Sequence, residues 1–238
     1  MNYKSKVIFS QRDLTTSIKN DNYLVVKAKY GPSRLTKIPL AISEELAFFV
    51  AAIIGDGHLS GHKLQIIFEC SDLNLVIYIN EICKTIFSRK FNIKPIKLRE
   101  NRLPTFCLYI DSKAIFNLLN QVFDVKRGKK SDVVKIPEFI AKSNVCIKKA
   151  FVMGILATEG GRRKRGIGMS SASFYLWKDI IFLLDNLGIK VLSDKWKNKK
   201  YNKEYYGISF RKDYISLITR GCQSGQMDQF LRKYIEEG

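Results

Sequence analysis

Two acidic residues, Asp56 and Glu159, stand in the same setting 103 residues apart. Each follows three small residues spaced four apart and precedes a glycine: Ala47, Ala51 and Gly55 before Asp56-Gly57, and Ala150, Gly154 and Thr158 before Glu159-Gly160. Carboxylates are the side chains with which proteins hold Mg²⁺ beside a phosphate group. Hydrolysis of a phosphodiester needs a deprotonated water and charge neutralisation on the leaving oxygen, which paired carboxylates holding Mg²⁺ supply. The chemistry therefore requires that the two acids come together.

The small residues belong to two predicted helices that would position the acids. Ser43 is the predicted N-cap of the first helix, which has two glutamates in its first turn and is otherwise apolar. Ser143 is the candidate cap of the second. Residues at i, i+4 and i+8 share one face of a helix, so each helix carries a groove without large side chains. If the helices pack groove to groove, their C-terminal ends bring the two acids side by side.

Alternation and helical periodicity predict similar elements after each acid. In the first half they are a strand over 63–70, a helix over 72–87, a hairpin of 94–99 with 104–110, and a helix over 112–123. In the second half they are a strand over 167–170, a helix over 174–187 ended by Gly188, strands over 190–197 and 205–211, and a helix from about 213. The inward set of the hairpin is predicted as Ile96, Leu98, Phe106, Leu108 and Ile110. Each half is then predicted as α-β-β-α-β-β-α, provided that its first strand pairs with another short strand. The sequence pattern resolves that partner strand poorly.

Composition indicates a folded protein that faces a polyanion. The 238 residues are 46% hydrophobic and can bury one substantial core or two small ones. Lys and Arg number 41 against 22 Asp and Glu, a formal charge of +19 that nucleic acid would neutralise. The excess lies in 1–42, 125–147 and 148–238, because 43–124 carry nine residues of each sign. The first 42 residues indicate a basic extension with one strand at 23–28 and a turn at Gly31-Pro32.

Membrane and secreted classes are disfavoured. The longest apolar stretch, 46–54, is less than half of the roughly 20 residues that a spanning helix needs. The apolar run near the N-terminus is too short for a secretory signal. We therefore expect an intracellular protein, in the cytoplasm or, in a eukaryote, in an organelle. The five cysteines are an odd number without a Cys-x-x-Cys pair, so we expect reduced thiols.

The duplicated segments resemble the two motifs of the LAGLIDADG homing endonucleases, specifically the single-chain type found in archaeal introns and in the nuclease domains of inteins. Residues 49–57 lie over the first nine-residue motif and residues 152–160 over the second. Ile38-Pro39, the segment 128–131 (Gly-Lys-Lys-Ser) and the segment 136–140 are similar to linker patterns of that family. The chain departs from the motif at helix-packing positions: Ala51, Ala52, Ile54 and Ala157. The resemblance covers roughly residues 38–220.

The resemblance implies an α+β fold of two pseudo-symmetric αββαββα halves, packed through the motif helices, with both sheets forming a saddle over duplex DNA. The halves would be 43–124 and 148–238, with a basic N-terminal extension over 1–42 and a basic linker over 125–147. It implies a metal-dependent endonuclease that cuts both strands of a long specific DNA site, leaves staggered 3′ overhangs and drives intron or intein mobility. A monomer is expected, since one chain holds both motifs.

The resemblance also assigns site residues. Asp56 and Glu159 would be the metal ligands, assisted by the backbone carbonyls of Gly55 and Thr158. The implied cofactor is Mg²⁺, with Mn²⁺ as a substitute. The basic candidates for charge stabilisation near the site are Lys130 or Lys129, and Arg162, while Glu69 stands where the family often has a polar residue that organises water.

DNA contacts are expected from the strand faces opposite the core, where side chains can reach base edges in the major groove. In the first half that face is predicted to present Lys63, Gln65, Lys97, Arg99, Thr105 and Tyr109. In the second half it is predicted to present Ser193, Lys195, Lys197, Tyr205, Ser209 and Arg211. The loops 162–165 and 197–203 are expected to bind phosphates, chiefly through Arg163, Lys164, Arg165 and Lys199.

Other interpretations of the same residues stay open. An RNA maturase that assists intron splicing is the runner-up function, and a non-cleaving DNA-binding regulator is the third. His58 and His62 are interpreted as loop or DNA-contact residues rather than a metal pair, and Trp177 and Trp196 as core residues. A whole intein is disfavoured, because the chain starts with Met and ends Glu-Glu-Gly rather than His-Asn.

Overall fold

The computed structural model describes residues 14–19, 21–29, 34–96, 104–164, 166–199, 202–221, 227 and 229–231. Its N-terminal part contains three strands: β1 (Leu14–Lys19), β2 (Tyr23–Ala28) and β3 (Thr36–Pro39). They form an antiparallel sheet in the order β1-β2-β3, here called the N-terminal sheet. Only the strand at 23–28 was predicted from the sequence, since the alternation in β1 and β3 is short. The turn predicted at Gly31-Pro32 lies outside the described residues.

The first half follows and contains both a motif helix and a four-stranded sheet. Its elements are α1 (Glu44–Gly55), β4 (Gly57–Leu59), β5 (Ile66–Cys70), α2 (Leu73–Phe87), β6 (Asn92–Ile96), β7 (Thr105–Ile110) and α3 (Lys113–Asn117), with a π-helical turn over Leu118–Val122. The strand order is β4-β5-β7-β6, and all neighbours are antiparallel. We call this sheet the first sheet.

The second half repeats that plan. Its elements are α4 (Glu138–Ala141), α5 (Val145–Glu159), β8 (Gly160–Arg163), β9 (Gly166–Ser171), α6 (Phe174–Asn186), β10 (Leu192–Asn198), β11 (Lys203–Phe210), a 3₁₀ turn over Lys212–Tyr214 and α7 (Ile215–Thr219). The strand order β8-β9-β11-β10 is the same as in the first sheet. We call it the second sheet. The partner strands that the sequence pattern resolved poorly are β4 and β8, each of which begins at the glycine that follows its acid.

The two motif helices, α1 and α5, pack against each other along their small residues. A Cβ atom on Gly154 would lie 2.6 Å from the Phe48 carbonyl oxygen and 2.7 Å from Cβ of Ala51. A Cβ atom on Gly55 would overlap Oγ1 of Thr158. Close approach of the two backbones therefore requires glycine at both positions. The groove-to-groove packing expected from the spacing is confirmed.

Local sequence explains where these helices begin. Ser43 caps α1, as predicted, because its Oγ accepts from the backbone N–H of Leu46 at 3.2 Å. The predicted cap of α5 was wrong by one residue: Asn144 Oδ1 accepts from Ile147 N at 3.0 Å, whereas Ser143 Oγ donates to the Phe139 carbonyl. Serine and asparagine both favour the cap position. Here the Ser143 hydroxyl is already bonded to the Phe139 carbonyl of α4, which leaves Asn144 as the cap.

The outer parts of the halves complete one continuous core. Residues 46–54 of α1 are all buried, and Phe48 and Phe49 stack edge-on against Tyr78 and Phe87 of α2. The described cysteines are free thiols, as expected: Cys70, Cys83, Cys107 and Cys146. None of the helices in the described ranges is long and apolar enough to cross a membrane.

The inward set predicted for the first hairpin is corrected at Ile96. Leu108 and Ile110 are buried and Phe106 is half-buried, as expected, but Ile96 pairs with Thr105 and is 37% exposed. The pairing register of β6, not its apolar alternation, decides the face of each side chain. Leu98 lies outside the described residues.

Candidate active site

The packed helices bring the two acids to one place. Asp56 is the C-cap of α1, with its N–H donated to the Ala52 carbonyl, and Glu159 is the last residue of α5. Both are partly buried. A Cβ atom on Gly55 would lie 3.4 Å from Cγ of Glu159, so the second acid sits beside the residue preceding the first.

Glu159 is held in an environment that disfavours its negative charge. Burial, followed by the charge of Asp56, raises its pKa to about 7, while Lys130 lowers it. A carboxylate in this state gains most from a nearby cation, because a cation removes both the desolvation cost and the repulsion. Oxygen ligands of this kind suit Mg²⁺. The residues present therefore fit a divalent cation held by the two acids, with backbone oxygens completing the set.

The same shift predicts how the metal-free protein responds to pH. Between the ordinary pKa of glutamate and pH 7 the folded protein binds more protons than the unfolded chain, so its free energy of unfolding should fall as pH rises through this window. Glu159→Gln should remove the fall and stabilise the EDTA-treated protein at pH 8 by up to about 3 kcal/mol, with little effect at pH 5. Urea unfolding at both values, with Glu204→Gln as an exposed-surface control, measures the difference. An equal effect at both pH values would contradict it.

Lys130 completes the charged group at this site. Its Nζ donates to the backbone carbonyls of Ile53 (2.5 Å), Ile54 and Gly55 (3.2 Å), which lie at the C-terminal end of α1, where the helix dipole favours a positive charge. Burial lowers its pKa to about 8, although both acids act in the opposite direction. Lys129 is exposed to solvent. The sequence left Lys130 and Lys129 as alternatives, and the structure brings only Lys130 to the acids.

The segment before Lys130 is anchored to the first half. The N–H of Gly128 donates to the Leu59 carbonyl at 2.8 Å, and Arg127 forms a parallel bridge with the same residue of β4. Gly128 has φ +66°, a backbone conformation that glycine adopts without steric cost. This turn aims the lysine at the end of α1.

An open cleft of about 500 Å³ adjoins the acids. Its lining includes Asp56, Glu69, Cys70, Ser71, Asp72, Thr105, Ala157, Thr158 and Gly160. Glu69 accepts a hydrogen bond from Thr105 Oγ1 at 2.9 Å, and the Thr158 hydroxyl donates to the carbonyls of Gly154 and Ile155. Arg162 is exposed on β8 and is not among the lining residues. Glu69 is thus placed at the cleft as the sequence indicated, and the role of Arg162 near the acids stays a prediction.

Sequence reasoning missed three consecutive residues of this cleft, Cys70, Ser71 and Asp72. The Cys70 thiol is hydrogen-bonded to the Asp56 carboxylate, and burial and that charge raise the thiol pKa to about 11. Asp72 caps α2 by accepting from the N–H groups of Asn74 and Leu75. The alternation of β5 could have indicated these residues, because this strand ends at Cys70, beside Asp56. Within the described ranges no group of three or more His, Cys, Asp and Glu side chains could hold a metal.

The outer face of the first sheet, opposite the core, carries polar side chains as predicted. Tyr109 pairs with Ile67, and Thr105 with Ile96, on that face. Gln65, just before β5, donates to Asp111 at 2.5 Å. Lys63 is exposed in the preceding turn. Lys97 and Arg99 lie outside the described residues. Lys94, which the sequence analysis did not select, lies over the Tyr109 ring with Nζ 5.8 Å from its centre.

The prediction that six residues of the second sheet share one face was wrong. Ser193, Lys195 and Lys197 pair with Ile208, Tyr206 and Glu204, whereas Tyr205 and Ser209 pair with Trp196 and Leu192. Directly paired residues share a face, and Ile208 is buried under α6. The serine and the two lysines therefore lie on the helix side, although exposed on the edge strand. The outer face carries Tyr205 and Ser209 instead. Two-residue periodicity separates the two faces of a strand but does not determine which face packs against the core.

Trp196 is an outer-face residue that was expected in the core. It is 37% exposed and stacks on Tyr205, with ring centres 6.0 Å apart and planes within 16°. The guanidinium of Arg163, from β8, lies 5.9 Å from the Trp196 ring centre. Trp177 is half-buried against the core, as expected, with Nε1 donating to the Gly207 carbonyl. We call Arg163, Trp196 and Tyr205 the aromatic stack.

The remaining basic candidates are exposed. Lys164, Lys199 and Arg211 stand at the surface, and Arg211 forms an ion pair with Asp213 at 2.9 Å. Arg165 lies outside the described residues.

Comparisons with curated proteins match only a segment of each relative. The chain is 31% identical over 166 residues to the replication factor C small subunit of Methanocaldococcus jannaschii, and 29% identical over 170 residues to the glutamine–fructose-6-phosphate aminotransferase of the same organism. It is 27% identical over 180 residues to one of the subunits of the A-type ATP synthase of Pyrococcus abyssi. Each match covers 70–72% of this chain but only 9–17% of the relative. No protein-family model matches.

Solved structures give the fold. A homing endonuclease structure, of mesophilic variants of I-DmoI, has a TM-score of 0.55 at 14% identity and covers 79% of this chain and 97% of that one. I-DmoI in complex with DNA and Mn has a TM-score of 0.55 at 17% identity, covering 75% and 97%. I-WcaI bound to its DNA recognition sequence has a TM-score of 0.53 at 13% identity, covering 80% and 87%. The chain thus has the α+β fold of these homing endonucleases, with three antiparallel sheets.

Proposed function

We propose that this chain is a LAGLIDADG homing endonuclease that cleaves both strands of a specific DNA site with a divalent metal. The observation that carries the proposal is the meeting of Asp56 and Glu159 at the ends of two packed helices, between two sheets of equal strand order. The halves would be 43–124 and 148–238, joined by the basic linker 125–147. One chain supplies both acids, so we propose a monomer that acts inside the cell.

The comparisons support this proposal in two ways. The neighbours in solved structures include homing endonucleases in complex with DNA and Mn, and with DNA and Ca. The curated relatives have unrelated names, yet a segment of about the same length in each resembles this chain. A segment that recurs inside proteins of unrelated activity cannot belong to the activity of any one of them. We infer a portable element, as expected for intron or intein mobility.

The chain's own residues would divide the work of hydrolysis. Asp56 and Glu159, with the carbonyl oxygens of Gly55 and Thr158, would hold the metal. Bound Mg²⁺ supplies charge neutralisation and a more acidic water. Lys130 places a positive charge beside both acids and would stabilise the phosphate charge that develops during the reaction. Glu69, which accepts a hydrogen bond from Thr105 in the lining of the cleft, would orient water.

The outer faces of the two sheets would contact the duplex. Gln65, Thr105 and Tyr109 in the first sheet, and Tyr205 and Ser209 in the second, would read base edges. The exposed residues Lys63, Lys164 and Lys199 would contact phosphates, which position the protein without specifying sequence. Staggered cuts with 3′ overhangs are part of the proposal.

The test is end-mapping of cleaved DNA. Purified protein is incubated with a library of random duplexes and with genomic DNA, in Mg²⁺, Mn²⁺ and EDTA arms, and all new ends are sequenced. The proposal expects one recurrent site with 3′ overhangs, in the metal arms only. Blunt or random ends, or ends in EDTA, would contradict it. Tight DNA binding without cuts would favour the non-cleaving regulator.

Adjacent lysines provide a matched test of the charge at the site. Lys130→Met should lower the cleavage rate by about 10²–10³-fold, because it removes a buried positive charge beside both acids. Lys129→Met removes the same charge from the exposed neighbour and should leave the rate within about threefold. Single-turnover rates at saturating protein separate this effect from binding. Equal losses in the two variants would assign both lysines to DNA binding instead.

The aromatic stack favours RNA maturation as the second candidate. Unpaired bases stack on exposed aromatic rings and on guanidinium planes, a contact that paired bases in a duplex do not make. Trp196 and Tyr205 present such rings on the outer face, beside Arg163. Splicing of a precursor RNA carrying the host intron, with Trp196→Ala as the variant, tests it. Splicing that needs Trp196 but not Asp56 would establish the maturase.

A further inference from the structure

A second cavity, of about 570 Å³, lies between the N-terminal sheet and the first half. Its wall joins β2 and the residues before β3 to the turn between α2 and β6 and to the end of β7. Five lining residues are basic and one is acidic: Lys27, Arg34, Arg89, Lys90 and Lys113, against Asp111. The cavity therefore concentrates positive charge within one concave site. None of these residues belongs to the active-site cleft.

Arg89 is fixed at the centre of this wall. Its Nη1 donates to Thr36 Oγ1 of β3 at 3.1 Å, and its Nη2 to the Asp111 carbonyl at 3.4 Å. Its guanidinium also lies over the Phe91 ring, 4.7 Å from the ring centre. A guanidinium held at three points loses little further freedom when it binds an anion. The site is thus preorganised.

The positive charges of the wall are poorly compensated. Burial and the charge of Arg34 both lower the pKa of Arg89, so the two guanidinium groups repel each other, and the negative charge of Asp111 offsets this effect only in part. Lys90 pairs with Glu81, and the Asp111 carboxylate accepts from Gln65. Among the residues that the structure describes, no carboxylate forms an ion pair with Lys27, Arg34 or Arg89. An anion in the cavity would relieve this repulsion.

The cavity opens beside the outer face of the first sheet. Two of its lining residues, Tyr109 and Asn92, are a directly paired couple on that face. The N-terminal sheet is a firm wall rather than a loose extension, because Leu24, Val26 and Ile38 are buried in the common core. A duplex lying along the first sheet would pass the mouth of the cavity. The negative groups of that duplex nearest to the cavity would be backbone phosphates.

We propose that this cavity binds a backbone phosphate of the DNA on the first-sheet side, and that the N-terminal sheet thereby extends the DNA-binding surface beyond the two halves. The inference rests on the proposed function, because it takes duplex DNA as the ligand. Arg34 and Lys27 reach the phosphate from the N-terminal sheet, and Arg89 from the first half. The contact positions the duplex and carries no sequence information of its own.

The salt dependence of binding tests the contact. A 40-base-pair random-sequence duplex in Ca²⁺ buffer is titrated with wild type, Arg34→Gln, Lys27→Gln and the control Lys178→Gln, an exposed lysine of α6. Loss of one phosphate contact lowers the slope of log K against log salt by about 0.9. We expect that reduction in Arg34→Gln and in Lys27→Gln, with binding weakened about three- to tenfold. The control should match wild type. Slopes unchanged in both cavity variants overturn the proposal.

Phosphate ethylation interference then locates the contact. On the cleaved target, ethylation at one or two phosphates on one flank should weaken wild-type binding but not that of Arg34→Gln. Interference identical in the two proteins overturns the proposal. If inorganic phosphate raises the melting temperature of wild type and not of Arg34→Gln, while duplex binding is unaffected, the cavity is a free-anion site and the DNA assignment is wrong. If the wild-type protein cleaves its target normally, any of these negative results contradicts the cavity proposal alone and leaves the proposed nuclease function intact.

Discussion

Asp56→Asn is expected to lower DNA cleavage by at least about 10³-fold while leaving DNA binding within about threefold. The asparagine keeps the shape of the side chain but removes one of the two negative charges proposed to hold the metal. The remaining acid, Glu159, is still buried, which raises its pKa, and a single carboxylate holds a divalent cation less firmly than two. Losses of this order follow removal of a charge on which transition-state stabilisation depends.

Asp72→Asn is the matched control for this variant. Asp72 lines the same cleft, but its carboxylate caps α2, a task that asparagine performs equally well. Its cleavage rate should stay within a few-fold of wild type. Single-turnover cleavage of plasmid DNA and fluorescence anisotropy in Ca²⁺ separate rate from affinity. Cleavage by Asp56→Asn within tenfold of wild type would remove Asp56 from the metal site.

Gly154→Ala is expected to destabilise the protein by about 2–3 kcal/mol, although alanine is the better helix former by about 1 kcal/mol. The added Cβ would stand 2.6 Å from the Phe48 carbonyl oxygen, a backbone atom that cannot rotate away. The two helices would have to separate, and the acids at their ends with them. Gly154→Val should prevent accumulation of folded protein.

Two further variants make the effect of Gly154 specific. Gly61→Ala places a methyl group in open space and should change the free energy of unfolding by less than about 0.5 kcal/mol. Ala51→Gly removes the other atom near the new Cβ, at 2.7 Å, and should restore part of the loss in a double variant. Urea denaturation of wild type, Gly154→Ala, Gly61→Ala and the double variant measures these differences in the free energy of unfolding. Stabilisation by Gly154→Ala would show that α1 and α5 do not pack this closely.

The spacing of small residues allowed the centre of the fold to be predicted. Four-residue spacing determines a helical face, so packing of the two helices through these faces was expected from the sequence. The structure adds which residues meet there, Gly55 with Thr158 and Gly154 with Ala51. The strand order and the short strands β4 and β8 did not follow, because three or four residues carry too little alternation. The cleft residue Cys70 was placed on the core side of a strand, and its bond to Asp56 depends on how that strand ends beside the helix.

Register limited what could be predicted about the outer faces. Ser193 and Tyr205 were predicted to share one face, yet their strands pair so that the two residues face opposite sides. Trp196 was expected in the core because of its size, but its partner is the outer-face Tyr205. Long-range pairing is set by contacts that no local window of sequence contains. In the N-terminal sheet only the strand at 23–28 was predicted, because the alternation in β1 and β3 is short.

The two ends of the central helix pair are not equivalent, and under the proposed function this difference would affect the order in which the two DNA strands are cut. The end of α1 receives the ammonium group of Lys130, whereas the hydroxyl of Thr158 bonds to carbonyls in the last turn of α5. A duplex cut here would have one scissile phosphate near the lysine and one farther away. The strands would then be broken at different rates, and a nicked molecule would accumulate before the linear product.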